Sequence, residues 1–188
     1  MSKLFYVIGA SGAGKDTLMN YARLKINGQK PVVFAHRYIT REPGNSNENH
    51  VYLSPEEFKL RAGNGCFALH WESHDKHYGI GTEIDSWLDK GFNVVVNGSR
   101  QYLPVAQQLY PEMAVVLIGA SPEVISQRLA GRGRESVEEI AKRIKRSEEI
   151  DCDLANCIHL QNDGSVEVAG DELVNIITLN KLESINSK

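Results

Sequence analysis

Short apolar runs recur along the chain, with stretches of helical periodicity between them. "LFYVI" (Leu4 to Ile8), "VVFAH" (Val32 to His36), "NVVVN" (Asn93 to Asn97), "AVVLIG" (Ala114 to Gly119) and "CIHLQN" (Cys157 to Asn162) read as five strands. Unbroken apolar runs suit strands buried on both faces, so the pattern predicts an α/β fold with a five-stranded parallel sheet flanked by helices. Helices are expected from about Lys15 to Ile26, from about Glu83 to a stop at Gly91, and from about Val168 to Ser184. Ser54-Pro55-Glu56-Glu57 sets Ser at the N-cap, Pro at N1 and Glu at N3; Ser136-Val137-Glu138-Glu139 repeats the device before a helix reaching about Glu149. Ser121-Pro122 opens another helix, which carries Arg128.

Residues 37 to 82 lose this rhythm. They hold an arginine-bearing loop, the polar "EPGNSNENH", a short helix and short strands near "VYL" and "FALHW". We read one domain over 1–188, with a core of 1–36 and 83–188, an acceptor-binding insertion of about 37–82 and an arginine-rich lid of about 128–146.

With 188 residues, 41% of them hydrophobic, the chain can bury a core without disulfide or metal staples. Lys plus Arg number 21 against 24 Asp plus Glu, a net charge of -3 that argues against a general nucleic-acid binder. Any anion site must therefore be built locally. No apolar run approaches the roughly eighteen residues of a membrane span, and the N-terminal segment lacks a signal peptide's apolar region. Three cysteines without C-x-x-C spacing fit free thiols in a reducing, cytoplasmic setting. A small-molecule partner is expected, with no nucleic acid and no membrane, in a monomer or homodimer.

The sharpest chemical signal is "GASGAGKDT", Gly9, Ala10, Ser11, Gly12, Ala13, Gly14, Lys15, Asp16 and Thr17. It follows a buried strand and opens a helix, where glycines let backbone N–H groups converge on phosphate oxygens and the helix end adds positive potential. Gly9, Gly14 and Lys15 fit the frame G-x-x-x-x-G-K-[S/T], but Asp16 stands where the metal-binding hydroxyl belongs and Thr17 comes one place late. Asp16 is read as an Mg²⁺ ligand or as a helix-terminal carboxylate, two roles that are compatible.

A second cluster, "RLAGRGRESVEEIAKRIKR", contains Arg128, Arg132 and Arg143 around Gly131 and Gly133. It suits a lid that grips phosphate with guanidinium groups. Arg37 and Arg41 follow a strand end and are expected to face the same crevice, beyond the carboxyl ends of the strands. Asn97, Ser99 and Arg100 border it too, and Tyr78 lines the acceptor side. His70, His74 and His77 would align as metal ligands only on a helix, and their segment reads as strand and turn.

In order and wording these motifs resemble the guanylate kinase superfamily over nearly the whole chain. "ITREP…NHVYLSPEEF" is similar to its monophosphate-binding segment, "HYG" to its Tyr-Gly acceptor motif, "RLAGRGRESVEEIAKRI" to its arginine lid and "QNDGS" to its late Asn-Asp loop. The resemblance implies a P-loop kinase using ATP and Mg²⁺, with Lys15, Arg132 and Arg143 catalytic. It also implies Arg128 against adenine, Asn162 near the adenine edge, and His50 in place of a tyrosine that helps hold the acceptor phosphate. The departures fall on guanine recognition: Leu69 replaces a base-reading glutamate, Ile80 a hydroxyl residue, and Gly44 a clamp arginine. Asn97-Gly98-Ser99 stands where an Asp-x-Asp is expected, so the metal's carboxylate is read as having moved to Asp16.

"GKD", "AHRYITR", "NENH", "YGIGTEIDSWL" and "VVNGSR" are similar to the versions in small kinases of phosphonate catabolism. That likeness implies phosphorylation of ribose 1,5-bisphosphate by ATP to 5-phospho-α-D-ribose 1-diphosphate (PRPP) and ADP. The alternatives are a nucleoside monophosphate kinase and a non-catalytic binding module, though such a module commonly lacks the working P-loop present here.

Overall fold

The computed structural model describes residues 2–42, 50–130 and 157–178. Its central sheet has the strand order β2 (Val32–Phe34), β7 (Asn93–Asn97), β1 (Leu4–Gly9), β8 (Ala114–Gly119), β9 (Ile158–Gln161). Every pairing in it is parallel. The apolar runs form strands because both of their faces are covered. Phe5 and Val7 turn to one side, where α1 (Lys15–Ile26) and α6 (Val166–Thr178) pack, and Leu4, Tyr6 and Ile8 turn to the other. Each such side chain taken out of water contributes about 1.5–3 kcal/mol.

The second side is covered by α3 (Glu83–Asp89), α4 (Leu103–Leu109) and a second sheet with the order β4 (His50–Tyr52), β3 (Arg37–Ile39), β6 (Lys76–Gly81), β5 (Phe67–Ser73). Leu69, Trp71 and Ile80 of the second sheet share one apolar cluster with Leu4, Tyr6 and Ile8 of the first. The outer face of the second sheet is closed by α2 (Pro55–Gly63), whose Phe58 stacks on Phe67. The Ser54 cap forms as its sequence requires, with Oγ accepting from the Glu57 N–H at 3.1 Å.

Three features differ from the sequence pattern. The run at Val32 pairs only to Phe34, because the chain then turns into the second sheet. The segment at Arg37, expected as a loop, is strand β3, whereas the run up to Tyr78, expected as strand and turn, forms the β5–β6 hairpin with His74-Asp75 as its tight turn, both residues with positive φ. Helix α4 was not signalled: it follows Tyr102, whose side chain makes no cap. The helix expected from Ser136 and the far end of the closing helix lie outside the described residues. Among those described, no helix is long and apolar enough to cross a membrane.

Asn93 ties the sheet to its surroundings. Its Oδ1 accepts from the Lys3 N–H at 3.0 Å and its Nδ2 donates to the Ile177 carbonyl at 2.9 Å, while the residue is 4% exposed. Asn93→Ala would strand a buried donor and acceptor, and should lower unfolding free energy in urea by about 2–3 kcal/mol. Asn64→Ala, at an exposed helix end where Nδ2 meets the Leu60 carbonyl, should cost about 0.5 kcal/mol.

Candidate active site

The carboxyl ends of β1, β7, β8 and β9 lie along one edge of the central sheet, the edge where open α/β sheets bind ligands. From β1 the chain enters the glycine loop. Gly12 and Gly14 take φ of 90 and 88, left-handed values that other residues reach only under strain. The turn is closed by Ala13 N–H donating to the Ala10 carbonyl at 3.2 Å. Helix α1 starts at Lys15, so its first-turn N–H groups, which lack partners inside any helix, open onto the loop.

The loop is braced from below. Asn162, 1% exposed, donates from Nδ2 to the Ala13 carbonyl at 2.7 Å, and Arg128 Nη1 reaches the same oxygen at 3.4 Å. A Cβ on Gly14 would collide with the Asn162 amide, and one on Gly12 would meet Ile125 and Leu129 of α5 (Pro122–Ala130) at 3.1 and 3.2 Å. Asp163 in turn accepts from the Ser121 N–H at 2.6 Å, fixing the start of α5 against the β9 end. Asn162 is thus a strut of the loop, a placement its position in "QNDGS" did not disclose. Its Oδ1 has no hydrogen-bond partner among the described residues.

At the loop's far side Lys15, Asp16 and Asn97 meet. Lys15 Nζ lies 3.3 Å from Asp16 Oδ1 and hydrogen-bonds Asn97 Oδ1 closely, while Asn97 Nδ2 donates to Asp16 Oδ1 at 2.7 Å. Asn97 is 7% exposed and sits at the end of β7, beside Val7 in register. An amide serves both neighbours at once, because it accepts from the ammonium and donates to the carboxylate. The Asp16 carboxylate lies low in the crevice yet stays 48% exposed. Burial pushes its pKa up, but the Lys15 and Arg37 charges and the bonds from Asn97 and Lys15 outweigh this and hold it below the ordinary 3.8.

Arg37, on β3, spreads its guanidinium over the Tyr78 ring at 5.3 Å. His50 is its register partner on β4, and His50 Nε2 lies 3.2 Å from the Arg41 carbonyl. After β7 the chain is pinned by Tyr6: the Ser99 N–H donates to its hydroxyl at 3.0 Å, and the hydroxyl donates to the Ser99 carbonyl at 3.1 Å. A Cβ on Gly98 would enter the Tyr6 ring, which explains the glycine in "NGS". Arg100 follows, half-buried.

The described residues thus bring Lys15, Asp16 and Asn97 into contact, with Arg37 within electrostatic reach. Asn97, expected among substrate residues, serves the loop directly. Arg132, Arg143 and Gly44 lie outside the described residues. His70, His74 and His77 lie along the β5–β6 hairpin, with His77 opposite Glu72 and stacked on Phe58. Among the described residues no group of three His, Cys, Asp or Glu side chains could hold a metal.

Because the Asp16 pKa is lowered by folding, its ionised form stabilises the native state. That contribution is complete above 3.8 and is lost as pH falls through the lower native value. The stability gap between wild type and Asp16→Asn, measured in urea, should therefore narrow from about pH 7 to about pH 3.

The family model described as Guanylate kinase matches residues 1–178. A protein of Thiobacillus denitrificans named "Ribose 1,5-bisphosphate phosphokinase PhnN" is 49% identical over 94% of this chain and 93% of its own. One of the same name from Desulfomicrobium baculatum is 48% identical over 94% and 95%. Among solved structures, guanylate kinase from Anaplasma phagocytophilum superposes with a TM-score of 0.68 over 97% of this chain and 87% of its own. At 17% identity that likeness speaks for the fold alone. With a family model spanning nearly its whole length, and relatives close to half identical along it, the chain belongs to the guanylate kinase family, in the branch of the ribose 1,5-bisphosphate phosphokinases.

Proposed function

We propose that the protein transfers the γ-phosphoryl group of ATP to ribose 1,5-bisphosphate, yielding PRPP and ADP. The observation that carries this reading is the pair Leu69 and Ile80, opposite each other across β5 and β6 and both fully buried. A nucleobase edge needs polar partners there, and each one left unpaired costs about 1–3 kcal/mol. Hydrocarbon supplies none. Arg37 and Tyr78 on the same sheet stay partly exposed and suit a phosphorylated sugar. The names of the relatives support that acceptor.

The acceptor oxygen needs little help to become a nucleophile, since a phosphate monoester has its second pKa at about 6 and is largely ionised at neutral pH. One of its oxygens forms the new bond to the γ-phosphorus, and the bond to the bridging oxygen breaks, leaving that oxygen with ADP. The chain's task is to hold two anions in line and offset their charge. In this reading Lys15 and the loop amides hold the donor phosphates, and Asn97 keeps Lys15 and Asp16 in place. Arg37 and Arg41 take the acceptor phosphate, with His50 and Arg100 beside it. Residues 37–82 form the acceptor side and 128–146 the lid, whose Arg132 and Arg143 are assigned to the transferring group. Arg128 is assigned to the adenine side.

The loop's donor set fits a hard divalent cation. Asp16 is ionised and half-exposed, its Oδ2 takes no hydrogen bond among the described residues, and the exposed Thr17 follows it. When bound, Mg²⁺ would supply charge neutralisation across the donor phosphates.

The deciding experiment compares ADP formation from Mg-ATP with ribose 1,5-bisphosphate and with GMP. Turnover is expected with the sugar, with kcat/KM for GMP lower by at least about 10²-fold, as two lost polar contacts would give. A preference for GMP would replace this reading with that of a nucleoside monophosphate kinase.

A further inference from the structure

Arg37 sits at one end of a row of rings. Its guanidinium lies over Tyr78, Tyr78 and Trp71 have centroids 5.6 Å apart with planes inclined by only 4°, and Trp71 stacks on Tyr102 at 5.6 Å and 28°. The row joins separate parts of the fold. Arg37 is on β3, Tyr78 and Trp71 are register partners on β6 and β5, and Tyr102 stands in the turn after β7, just before α4. Both ends lie within electrostatic reach of the buried Tyr6 hydroxyl, which pins that same turn through Ser99.

A guanidinium has long, rotatable attachments, and stacking on an aromatic face removes much of that freedom. The Tyr78 ring could turn about its own bonds if nothing lay against it. Trp71 lies against it, is 8% exposed, and belongs to the cluster that joins the two sheets. Trp71 thus bears on the orientation of the cation from two rings away, although it meets neither nucleotide nor sugar in the arrangement described above.

We propose that Trp71, seated on Tyr102, is a positioning residue for acceptor binding: it fixes the Tyr78 ring, and the face of that ring fixes the Arg37 guanidinium. The inference rests on the reading of Arg37 as an acceptor-phosphate ligand. It assigns to Trp71 an effect on the acceptor that the donor does not share, since the glycine loop is braced independently by Asn162 and Arg128.

The test is steady-state kinetics with both substrates for Trp71→Leu, Trp71→Phe and Arg37→Ala, each checked for folding. Trp71→Leu should raise the KM for ribose 1,5-bisphosphate about tenfold and leave the ATP KM within about twofold, while Trp71→Phe, which keeps a stacking ring, should stay within about threefold of wild type. Replacing Trp87 by Phe leaves Trp71 as the sole tryptophan of the two in the chain. Its emission should then change on saturation with ribose 1,5-bisphosphate and stay unchanged with ADP. An unaltered acceptor KM in Arg37→Ala would overturn the role of Arg37 and this inference with it. A raised acceptor KM in Arg37→Ala beside an unaltered one in Trp71→Leu would overturn the inference alone. If Trp71→Leu does not fold, the emission decides, and a Trp71 signal indifferent to the acceptor overturns the proposal.

Discussion

Everything at the site depends on the amide of Asn97 standing between an ammonium and a carboxylate. Lys15 and Asp16 are neighbours in sequence at the start of a helix, where their side chains have several rotamers to choose from. The Asn97 side chain, fixed at the end of a buried strand, accepts from one and donates to the other. A carboxylate at that position would meet Asp16 as a like charge, so the change from Asp-x-Asp to Asn97-Gly98-Ser99 and the appearance of Asp16 in the loop belong together. On the proposed reading one negative group is kept near the phosphates, carried by α1 in place of β7.

The loop above this contact has little freedom of its own. Asn162 and Arg128 hold the Ala13 carbonyl from beneath, and Ile125 and Leu129 lie close enough under Gly12 to crowd a Cβ there. The ends of β1, β7 and β9 are thereby made into one support. The second sheet is built on the central core, because Leu69, Trp71 and Ile80 share one cluster with Leu4, Tyr6 and Ile8. Tyr6 itself is buried and keeps its proton, since burial raises its pKa, while its hydroxyl exchanges two bonds with Ser99. Arg37 and the turn after β7 are in this way referred to a common, rigid origin.

Much of this was legible in the chain. The three buried strands β1, β7 and β8 announce themselves as apolar runs, the edge strand β9 alternates and buries only Leu160, and the Ser54 cap and the glycine loop are local devices that read the same in sequence and in structure. The second sheet was harder to see. Strand β3 spans only three residues, and Gly79 and Gly81 interrupt the apolar alternation of β6, so neither has a period to recognise. Helix α4 starts without a side-chain cap. The contacts that matter most are far apart in the chain: Asp16 meets Asn97 across 81 positions, and Asn162 meets Ala13 across 149. Motif order could bring these residues to the same edge of the sheet, but only the register of the strands decides that Asn97 faces the loop and that Trp71 faces Tyr78.

On the proposed reading Asp16, held by Asn97, stands in for the hydroxyl a P-loop ordinarily presents to Mg²⁺. The most direct measurement is the Mg²⁺ activation curve of Asp16→Asn beside wild type at fixed ATP and acceptor, with Mg²⁺ binding to the ATP-free proteins followed by calorimetry. Half-activation should move to at least about tenfold higher Mg²⁺, because a neutral amide is a poorer ligand for a hard cation than a carboxylate. Superimposable activation curves would contradict it and leave Asp16 as a helix-terminal charge alone.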